Sequence, residues 1–162
     1  MLEVGGGIGD LQLELLGQGA ARAVNVELSP DYEAVAQELI RDAGAEERVE
    51  RLVLDFAHAH DAVRPADAVV LNRVVCCYPD GVALVGAAAD RTQRYLVLTF
   101  PNDSRSARAL VATVNFVARL LRWQFRMFAH PPAALVHAAQ ARGLRVVRDR
   151  RSRLWQLVVL AR

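Results

Sequence analysis

The sequence predicts an α/β fold built on a mostly parallel β-sheet. Short apolar runs alternate with stretches of helical spacing along most of the chain, an order typical of parallel sheets. One run, Ala68–Val75, is almost purely apolar, as expected for a central strand that is covered on both faces. The last two runs, Leu144–Val147 and Leu154–Leu160, flank a charged turn and resemble a hairpin. We therefore expect parallel strands followed by an antiparallel pair.

The first half of the chain supplies three strands and two helices. Leu2–Val4 is the predicted first strand, and the helix Asp10–Leu16 follows a glycine-rich turn. The second strand, Ala23–Glu27, leads into a helix over residues 29–43, which a proline in its first turn opens. The third strand is Val49–Asp55.

The second half completes the sheet. After strand four, a helix over Val82–Asp90 precedes strand five, Tyr95–Phe100. A long helical region follows, and a shorter helix over residues 131–142 leads into the hairpin. The chain has no internal repeat and no linker-like segment, so we expect a single domain over residues 1–162.

Composition narrows the functional classes. The net charge of +2 is too small to indicate nucleic-acid binding, and all 20 basic residues are arginine. The chain therefore has no lysine nucleophile or Schiff base. Abundant arginine and alanine suggest a GC-rich genome, so we expect a bacterial source. The sequence has no transmembrane segment, since no apolar run approaches the roughly 20 residues of a membrane span, and no basic leader precedes the first strand. We therefore expect a cytoplasmic protein.

A glycine-rich turn follows the first strand. Gly5, Gly7 and Gly9 stand at alternate positions before the helix that Asp10 opens. Glycine permits positive φ angles, and a strand, a glycine turn and a helix N-terminus together form a nucleotide-binding corner. The dinucleotide fingerprint G-x-G-x-x-G fails, because Asp10 stands where its last glycine belongs. The pattern is instead E-x-G-x-G-x-G, beginning at Glu3.

This pattern resembles motif I of the class I S-adenosylmethionine (SAM) dependent methyltransferases that act on small molecules. The resemblance implies a Rossmann-like sheet of seven strands, mostly parallel, with an antiparallel strand in the C-terminal hairpin. It also implies SAM as cofactor, with Glu3 and the glycine loop at its methionine and ribose parts. Family members usually carry helices before the first strand, whereas Met1 already lies beside that strand here. We expect a truncated start or an uncovered sheet face, and the latter favours a homodimer.

Acidic residues end the next two strands. Glu27 can accept hydrogen bonds from both hydroxyls of a ribose, in SAM and NAD alike, and Leu28 beside it is a further predicted cofactor contact. For Asp55 and Phe56 the resemblance implies contact with the adenine amino group and packing on the base. The alternatives are a surface glutamate at the second strand and a helix-capping aspartate at the third.

A third group of candidates follows strand four, whose end resembles motif IV and its Tyr-Pro-Asp continuation. The resemblance implies that backbone carbonyls near Asn72 and Arg73 meet the SAM ammonium group. Tyr78 and His130 are the candidate catalytic residues, as a pocket-lining or acceptor-orienting group and as a general base respectively. The alternatives are a packed turn aromatic for Tyr78 and an exposed surface position for His130.

Two pairs of potential ligands carry weaker signals. Cys76 and Cys77 are adjacent, and neighbouring residues on a strand point to opposite faces. We therefore expect two reduced thiols rather than a disulfide or a shared metal site. His58 and His60 form an H-x-H pair, but no further ligand stands at convincing spacing, so we predict no metal site.

The segment over residues 106–130 is the most individual part of the chain. The polar residues that recur there at helical steps are Arg108, Asn115, Arg119, Arg122 and Arg126. Apolar residues, among them Val111, Leu120 and Phe128, populate the other side of the predicted helix. The resemblance implies a lid or insertion that selects the substrate. The alternatives are a helix that covers the sheet and a helix that rests on a membrane surface.

The sequence thus predicts a SAM-dependent methyltransferase that acts on a small molecule of lipophilic or anionic character. A non-catalytic or truncated SAM-binding module is the alternative, and an NAD(P)-binding oxidoreductase is a less favoured one because Asp10 replaces the third glycine. The arginines between residues 145 and 153 are interpreted as a solvated hairpin turn, since no stacking aromatics accompany them. We expect no nucleic-acid partner.

Overall fold

The strands form one seven-stranded sheet. The computed structural model describes residues 1–123 and 125–162. The strands are β1 (Leu2–Val4), β2 (Ala23–Glu27), β3 (Val49–Val53), β4 (Ala66–Asn72), β5 (Thr92–Pro101), β6 (Arg145–Arg151) and β7 (Trp155–Ala161). Their order across the sheet is β3-β2-β1-β4-β5-β7-β6.

Helices connect the strands and cover the sheet. They are α1 (Asp10–Gly17), α2 (Glu33–Asp42), α3 (Phe56–Ala59), α4 (Gly81–Asp90), α5 (Arg105–Leu120) and α6 (Pro132–Gln140). Single 3-10 turns lie at Pro30–Tyr32, His60–Ala62 and Val75–Cys77. Within the described part of the chain, no helix combines the length and the apolar character that crossing a bilayer requires.

The strand directions confirm the fold predicted from the sequence. Strands β1 to β5 pair in parallel, so their carboxyl ends meet at one edge of the sheet. Strand β7 runs antiparallel to β5 and lies between it and β6. The C-terminal hairpin therefore closes a mostly parallel sheet with an antiparallel strand, as expected.

The main core lies between one face of the sheet and three helices. Alternate strand residues such as Leu2, Val69 and Leu98 are fully buried there, together with residues of α3, α4 and α6. A smaller cluster around Leu16 and Ile40 packs α1 and α2 onto the sheet. Side chains alternate between the two faces of each strand, so the same strands serve both cores.

The predicted long helix after β5 is shorter than expected. It ends at Leu120, and the chain then turns away from the helix axis. The amide of Trp123 donates to the carbonyl of Ala118 and that of Arg122 to Arg119, which is a Schellman motif. Arg122 takes the left-handed position with φ 57° that glycine usually occupies. Phe128 is therefore not part of the helix, and Leu120 is exposed rather than packed.

Two other boundaries are corrected by the structure. Strand β4 stops at Asn72, and Val75–Cys77 forms a 3-10 turn instead of continuing it. The arginines that we interpreted as a hairpin turn largely belong to β6, which extends to Arg151. All residues of β6 are exposed, and the strand is defined by its backbone pairing with β7. Its sequence lacks the alternation of apolar and polar residues that predicts a strand.

Candidate functional site

A pocket of about 120 Å³ lies where the carboxyl ends of the parallel strands meet. Six of the predicted site residues line it: Gly5, Glu27, Leu28, Asp55, Phe56 and Tyr78. They come from the ends of β1, β2 and β3 and from the turn after β4. Open parallel sheets bind ligands outside the carboxyl ends of their strands, so this edge is the expected place for a site.

The glycine loop is shaped by contacts that only glycine allows. Gly5 has φ 67°, and a Cβ atom at this position would overlap the side chain of Val74. Gly7 has φ 54°, and a Cβ atom there would meet no heavy atom within 4 Å. The loop therefore packs tightly against the turn after β4 at Gly5 and leaves open space at Gly7. A ligand can approach the main chain closely at such a position.

Glu27 ties the glycine loop to the end of β2. Its Oε2 atom accepts a hydrogen bond from the Gly7 amide at 2.9 Å, and its Oε1 atom accepts from Leu28 and Ser29 at 2.8 and 3.0 Å. The side chain is nearly buried, so it is held in one orientation at the wall of the pocket. A carboxylate offers about four acceptor positions, so capacity for a further donor remains.

Glu3 lies beneath the glycine loop rather than in the lining of the pocket. It is only 2% exposed, and the Asn25 amide approaches its carboxylate at 3.5 Å. Burial, followed by the nearby charge of Asp10, raises the pKa of Glu3 to about 7. The side-chain amide of Gln12, also buried, has no hydrogen-bond partner among the described residues. The floor of the loop is thus polar and incompletely paired.

Asp55 is the centre of a hydrogen-bonded group at the other end of the pocket. Tyr78 Oη lies 2.9 and 3.0 Å from its two carboxylate oxygens, and His58 Nδ1 lies 3.0 Å from Oδ2. Burial alone would raise the pKa of Asp55, but the bonds from Tyr78, His58 and the Ala57 amide outweigh it and lower the pKa. Asp55 also caps α3 through Ala57, so the capping alternative is part of its role.

The same contacts leave Tyr78 able to orient an acceptor, as predicted, but not to act as a base. Burial, and then its hydrogen bond to Asp55, raise the pKa of Tyr78 to about 12, so the phenol stays protonated near neutral pH. A protonated phenol can donate a hydrogen bond and orient a partner, but it cannot accept a proton from an acceptor substrate. Phe56 is buried in the main core with its edge at the pocket.

The other predicted site residues are not among those that line this pocket. His130 Nε2 donates to the backbone carbonyl of Tyr78 at 3.0 Å, so this histidine supports the turn that carries Tyr78. Gly9 begins α1, where its φ of 85° turns the chain. Asn72 ends β4, and Arg73 has φ 58° with its guanidinium 5.0 Å from the centre of the Trp155 ring. Their contacts with a cofactor stay predictions.

The expectation that Cys76 and Cys77 point to opposite faces is wrong. They lie on the 3-10 turn rather than on a strand, and their sulfur atoms are 3.9 Å apart. Both sulfur atoms also lie within hydrogen-bond distance of the carbonyl oxygen of Arg73, at 3.3 and 3.6 Å. Both cysteines are free thiols, Cys76 buried and Cys77 exposed at the pocket.

The side chains of His58 and His60 contact different partners in the structure. His58 faces Asp55, whereas His60 faces Asp61 and Asp90 at 3.8 and 3.9 Å. In residues 1–123 and 125–162, no three or more side chains of histidine, cysteine, aspartate and glutamate come together as a metal site would require.

Sequence reasoning missed several apolar residues of the pocket, of which Val74, Cys77 and Leu84 are examples. Val74 and Cys77 stand in the stretch that suggested motif IV, so their position near the site was within reach of the sequence. Leu84 belongs to the buried side of α4, and no periodicity distinguishes it from other core residues of that helix.

Comparison with solved structures supports the fold. The chain is similar to magnesium protoporphyrin IX methyltransferase from Synechocystis with bound SAH, at 18% identity and a TM-score of 0.78, covering 99% of this chain and 73% of that one. It is also similar to an O-methyltransferase family protein from Burkholderia thailandensis, at 20% identity and a TM-score of 0.80, covering 99% and 50%. A third similar structure is mitomycin 7-O-methyltransferase, at 23% identity and a TM-score of 0.72. The match covers 99% of this chain and 48% of that one.

These likenesses establish the architecture. The chain has the fold of the class I SAM-dependent methyltransferases, a Rossmann-like sheet with an antiparallel C-terminal strand. It spans about half the length of the two O-methyltransferases. No protein-family model matches the chain, and no curated protein matches it in sequence.

Proposed function

We propose that the protein is a SAM-dependent methyltransferase that acts on a small molecule. The observation that carries this proposal is the meeting of the glycine loop, Glu27 and Asp55 around one pocket of a class I methyltransferase fold. Two solved structures with this fold contain SAH or SAM, and a third is a complex with apigenin. A small-molecule acceptor agrees with these neighbours, and its lipophilic or anionic character stays a prediction.

The residues around the pocket fit the parts of SAM. Gly7 leaves open space above the main chain, where the methionine part would lie. Glu27 would accept hydrogen bonds from the ribose hydroxyls, and Asp55 would accept one from the adenine amino group. Leu28 and Phe56 would supply apolar contacts to the base.

The pocket is smaller than the cofactor requires. Its volume of about 120 Å³ is below the roughly 300 Å³ at which small-molecule pockets begin. Tyr78 holds the carboxylate of Asp55 at the adenine end. We infer that Tyr78 leaves Asp55 when the cofactor enters, and that this movement enlarges the pocket.

The chain itself then contributes binding and orientation. When bound, SAM supplies a methyl group that is already activated on a positively charged sulfur. The protein has to align the acceptor with that group and exclude water, which are the contributions of proximity and orientation. Tyr78 can donate a hydrogen bond to an acceptor, and His130 positions Tyr78 from behind.

Calorimetric titration with S-adenosylhomocysteine (SAH) tests the proposal, with NADH as the matched control ligand. We expect micromolar binding of SAH, loss of binding in Glu27→Ala, and unchanged binding in the exposed control Glu46→Ala. Binding of NADH alone, or of neither ligand by a folded sample, would contradict the proposal.

Turnover separates the enzyme from the alternative of a non-catalytic SAM-binding module. Neither candidate catalytic residue offers a free base, since Tyr78 stays protonated and His130 Nε2 is engaged. A module of that kind would bind SAH, but it would not convert SAM to SAH with any acceptor.

The bacterial source, the cytoplasmic location and the homodimer stay predictions. Sedimentation of the purified chain tests the homodimer.

A further inference from the structure

A second and larger cleft lies outside the predicted cofactor site. It measures about 500 Å³ and is lined by the C-terminal half of α5 and by residues 122, 123, 125 and 126. Its lining includes Asn115, Arg119, Arg122, Trp123, Phe125 and Arg126. Clefts of roughly 300–1,000 Å³ are typical of small-molecule sites. We call this feature the arginine cleft.

The arginine cleft carries uncompensated positive charge. Three guanidinium groups line it, and its described lining contains no carboxylate. The arginine ion pairs found in the described residues involve Arg51, Arg91, Arg142 and Arg151 instead. Arginines that line one cleft without a carboxylate attract an anion, and their planar donors match the oxygens of a carboxylate, sulfonate or phosphate.

Aromatic side chains provide the other half of the surface. Trp123 is 61% exposed and Phe125 is 46% exposed, although both are among the most apolar residues of the chain. Exposed rings beside a cleft mark a binding surface more often than an isolated exposed residue does. Their faces can stack on a planar ring, and arginine can stack on the same ring.

The cleft wall is held in place rather than left loose. The side-chain amide of Asn115 donates to the carbonyl of Met127 and accepts from its amide, both at 2.8 Å. The next amide, that of Phe128, donates to the carbonyl of Cys76 at 2.7 Å. Two residues span at most about 7 Å, so Arg126 lies close to the turn that carries Cys77 and Tyr78. The chain that leaves the arginine cleft is therefore tied to the turn beside the cofactor pocket.

The helix end adds a further indication. Arg122 occupies the left-handed position of the Schellman motif, where glycine would cost less. An arginine at this position is unfavourable for the backbone, but it places one more guanidinium at the cleft.

We propose that the arginine cleft binds a planar aromatic molecule that carries an anionic group. The anion is held by Arg119, Arg122 and Arg126, and the ring packs against Trp123 and Phe125. The proposal concerns binding, so it holds whether or not the methyltransferase proposal does.

Fluorescence titration of the full chain with anilinonaphthalene sulfonate, an aromatic anion, tests the proposal. Phenylnaphthylamine, which has the same rings without the sulfonate, is the control ligand. We expect one binding site for the anion, weaker binding of the neutral analogue, and about tenfold weaker anion binding for each arginine of the cleft changed to glutamine. Arg148→Gln and Arg150→Gln on the exposed strand β6 are the control variants and should bind as the wild type does.

The variant Arg122→Gly tests whether weaker anion binding results from loss of the arginine or from loss of folding. This substitution relieves the left-handed backbone, so we expect a higher melting temperature together with weaker binding of the anion. Equal affinity for the two ligands, or unchanged binding after removal of the cleft arginines, would overturn the proposal. Binding of phosphatidylglycerol vesicles through these arginines, with no saturable binding of the aromatic anion, would overturn it in favour of a membrane contact.

SAH titration of the same samples separates this proposal from the proposed function. If SAH binds and the aromatic anion does not, the arginine cleft is wrongly assigned and the methyltransferase proposal stands. If the aromatic anion binds and SAH does not, the arginine cleft is correctly assigned and the methyltransferase proposal fails.

Discussion

The hydroxyl of Tyr78 lies within hydrogen-bond distance of both carboxylate oxygens of Asp55, at 2.9 and 3.0 Å. Both residues line the cofactor pocket, and their contact closes the end where adenine is expected. A nucleotide that needs this carboxylate therefore competes with Tyr78 for it. The affinity of the pocket depends on how readily this pair separates.

Tyr78→Phe should tighten the binding of SAH. The substitution removes the hydrogen bond that cofactor entry would have to break, while the ring remains. Hydrogen bonds to charged groups contribute roughly 1.5–3 kcal/mol, and Asp55 is partly exposed, so we expect a gain of about 1 kcal/mol, or about fivefold in Kd. Calorimetry measures the change, with the exposed Tyr95→Phe as control. Weaker binding of SAH would mean that Tyr78 contacts the cofactor instead.

Glu3→Gln should flatten the dependence of stability on pH. Because the pKa of Glu3 is raised from 4.5 to about 7, the folded state binds this proton more tightly than the unfolded state does. Its contribution is complete below about pH 4.5, falls as pH rises towards 7, and is lost above that. The total is about 3 kcal/mol, since each unit of pKa corresponds to about 1.4 kcal/mol.

Urea denaturation across this pH range measures the effect. Relative to the wild type, the Glu3→Gln protein should gain stability at pH 8 and lose the slope between about pH 5 and 7. Glu46→Gln, at an exposed position, is the control. An unchanged slope in the Glu3 variant would show that another group titrates.

Gly5→Ala should destabilise the fold by about 1–3 kcal/mol. The new Cβ atom would overlap Val74, and the φ of 67° is unfavourable for alanine. Gly17→Ala is the matched control, because a Cβ atom there meets open space and the residue ends α1. Thermal melting compares the two, and equal melting temperatures would show that the loop relaxes around the added methyl group.

Cys77 should react with maleimide well before Cys76 does. Cys77 is exposed, and the hydrogen bond from Cys76 lowers the pKa of its thiol, whereas the same contact and burial raise that of Cys76. Because Cys77 lines the cofactor pocket, SAH should slow the reaction. Mass spectrometry of the labelled chain identifies the site, and Cys77→Ser should abolish the fast phase. Equal labelling of both residues would contradict the arrangement.

Much of the site could be predicted because its chemistry is local in sequence. Glu27 ends β2, the glycine loop and Asp55 follow β1 and β3, and parallel strands bring such ends together. The spacing of the glycines is enough to distinguish this loop from a dinucleotide fingerprint. The order of the elements brings these residues together, whereas the adenine contact of Asp55 was implied only by the resemblance to the methyltransferases.

The remaining features depend on side-chain contacts between distant segments. Tyr78 and Asp55 are 23 residues apart, and no spacing rule connects a turn aromatic with a capping aspartate. The end of α5 was not predicted because Arg122, and not glycine, occupies the left-handed position that follows the helix. A glycine there is the usual sequence signal for a helix end. The two cysteines were misplaced because β4 ends sooner than its apolar run does.

Strand β6 also determines how the sheet meets other molecules. It forms an outer edge of the sheet, it is exposed along its whole length, and four of its seven residues are arginines. An outer strand offers free backbone groups to any second strand, which is the route to fibrous aggregation. Two such edges that approach one another would bring rows of positive charge together. The arginines of β6 therefore oppose edge-to-edge pairing between two molecules. Their replacement by apolar residues would make the chain prone to precipitate.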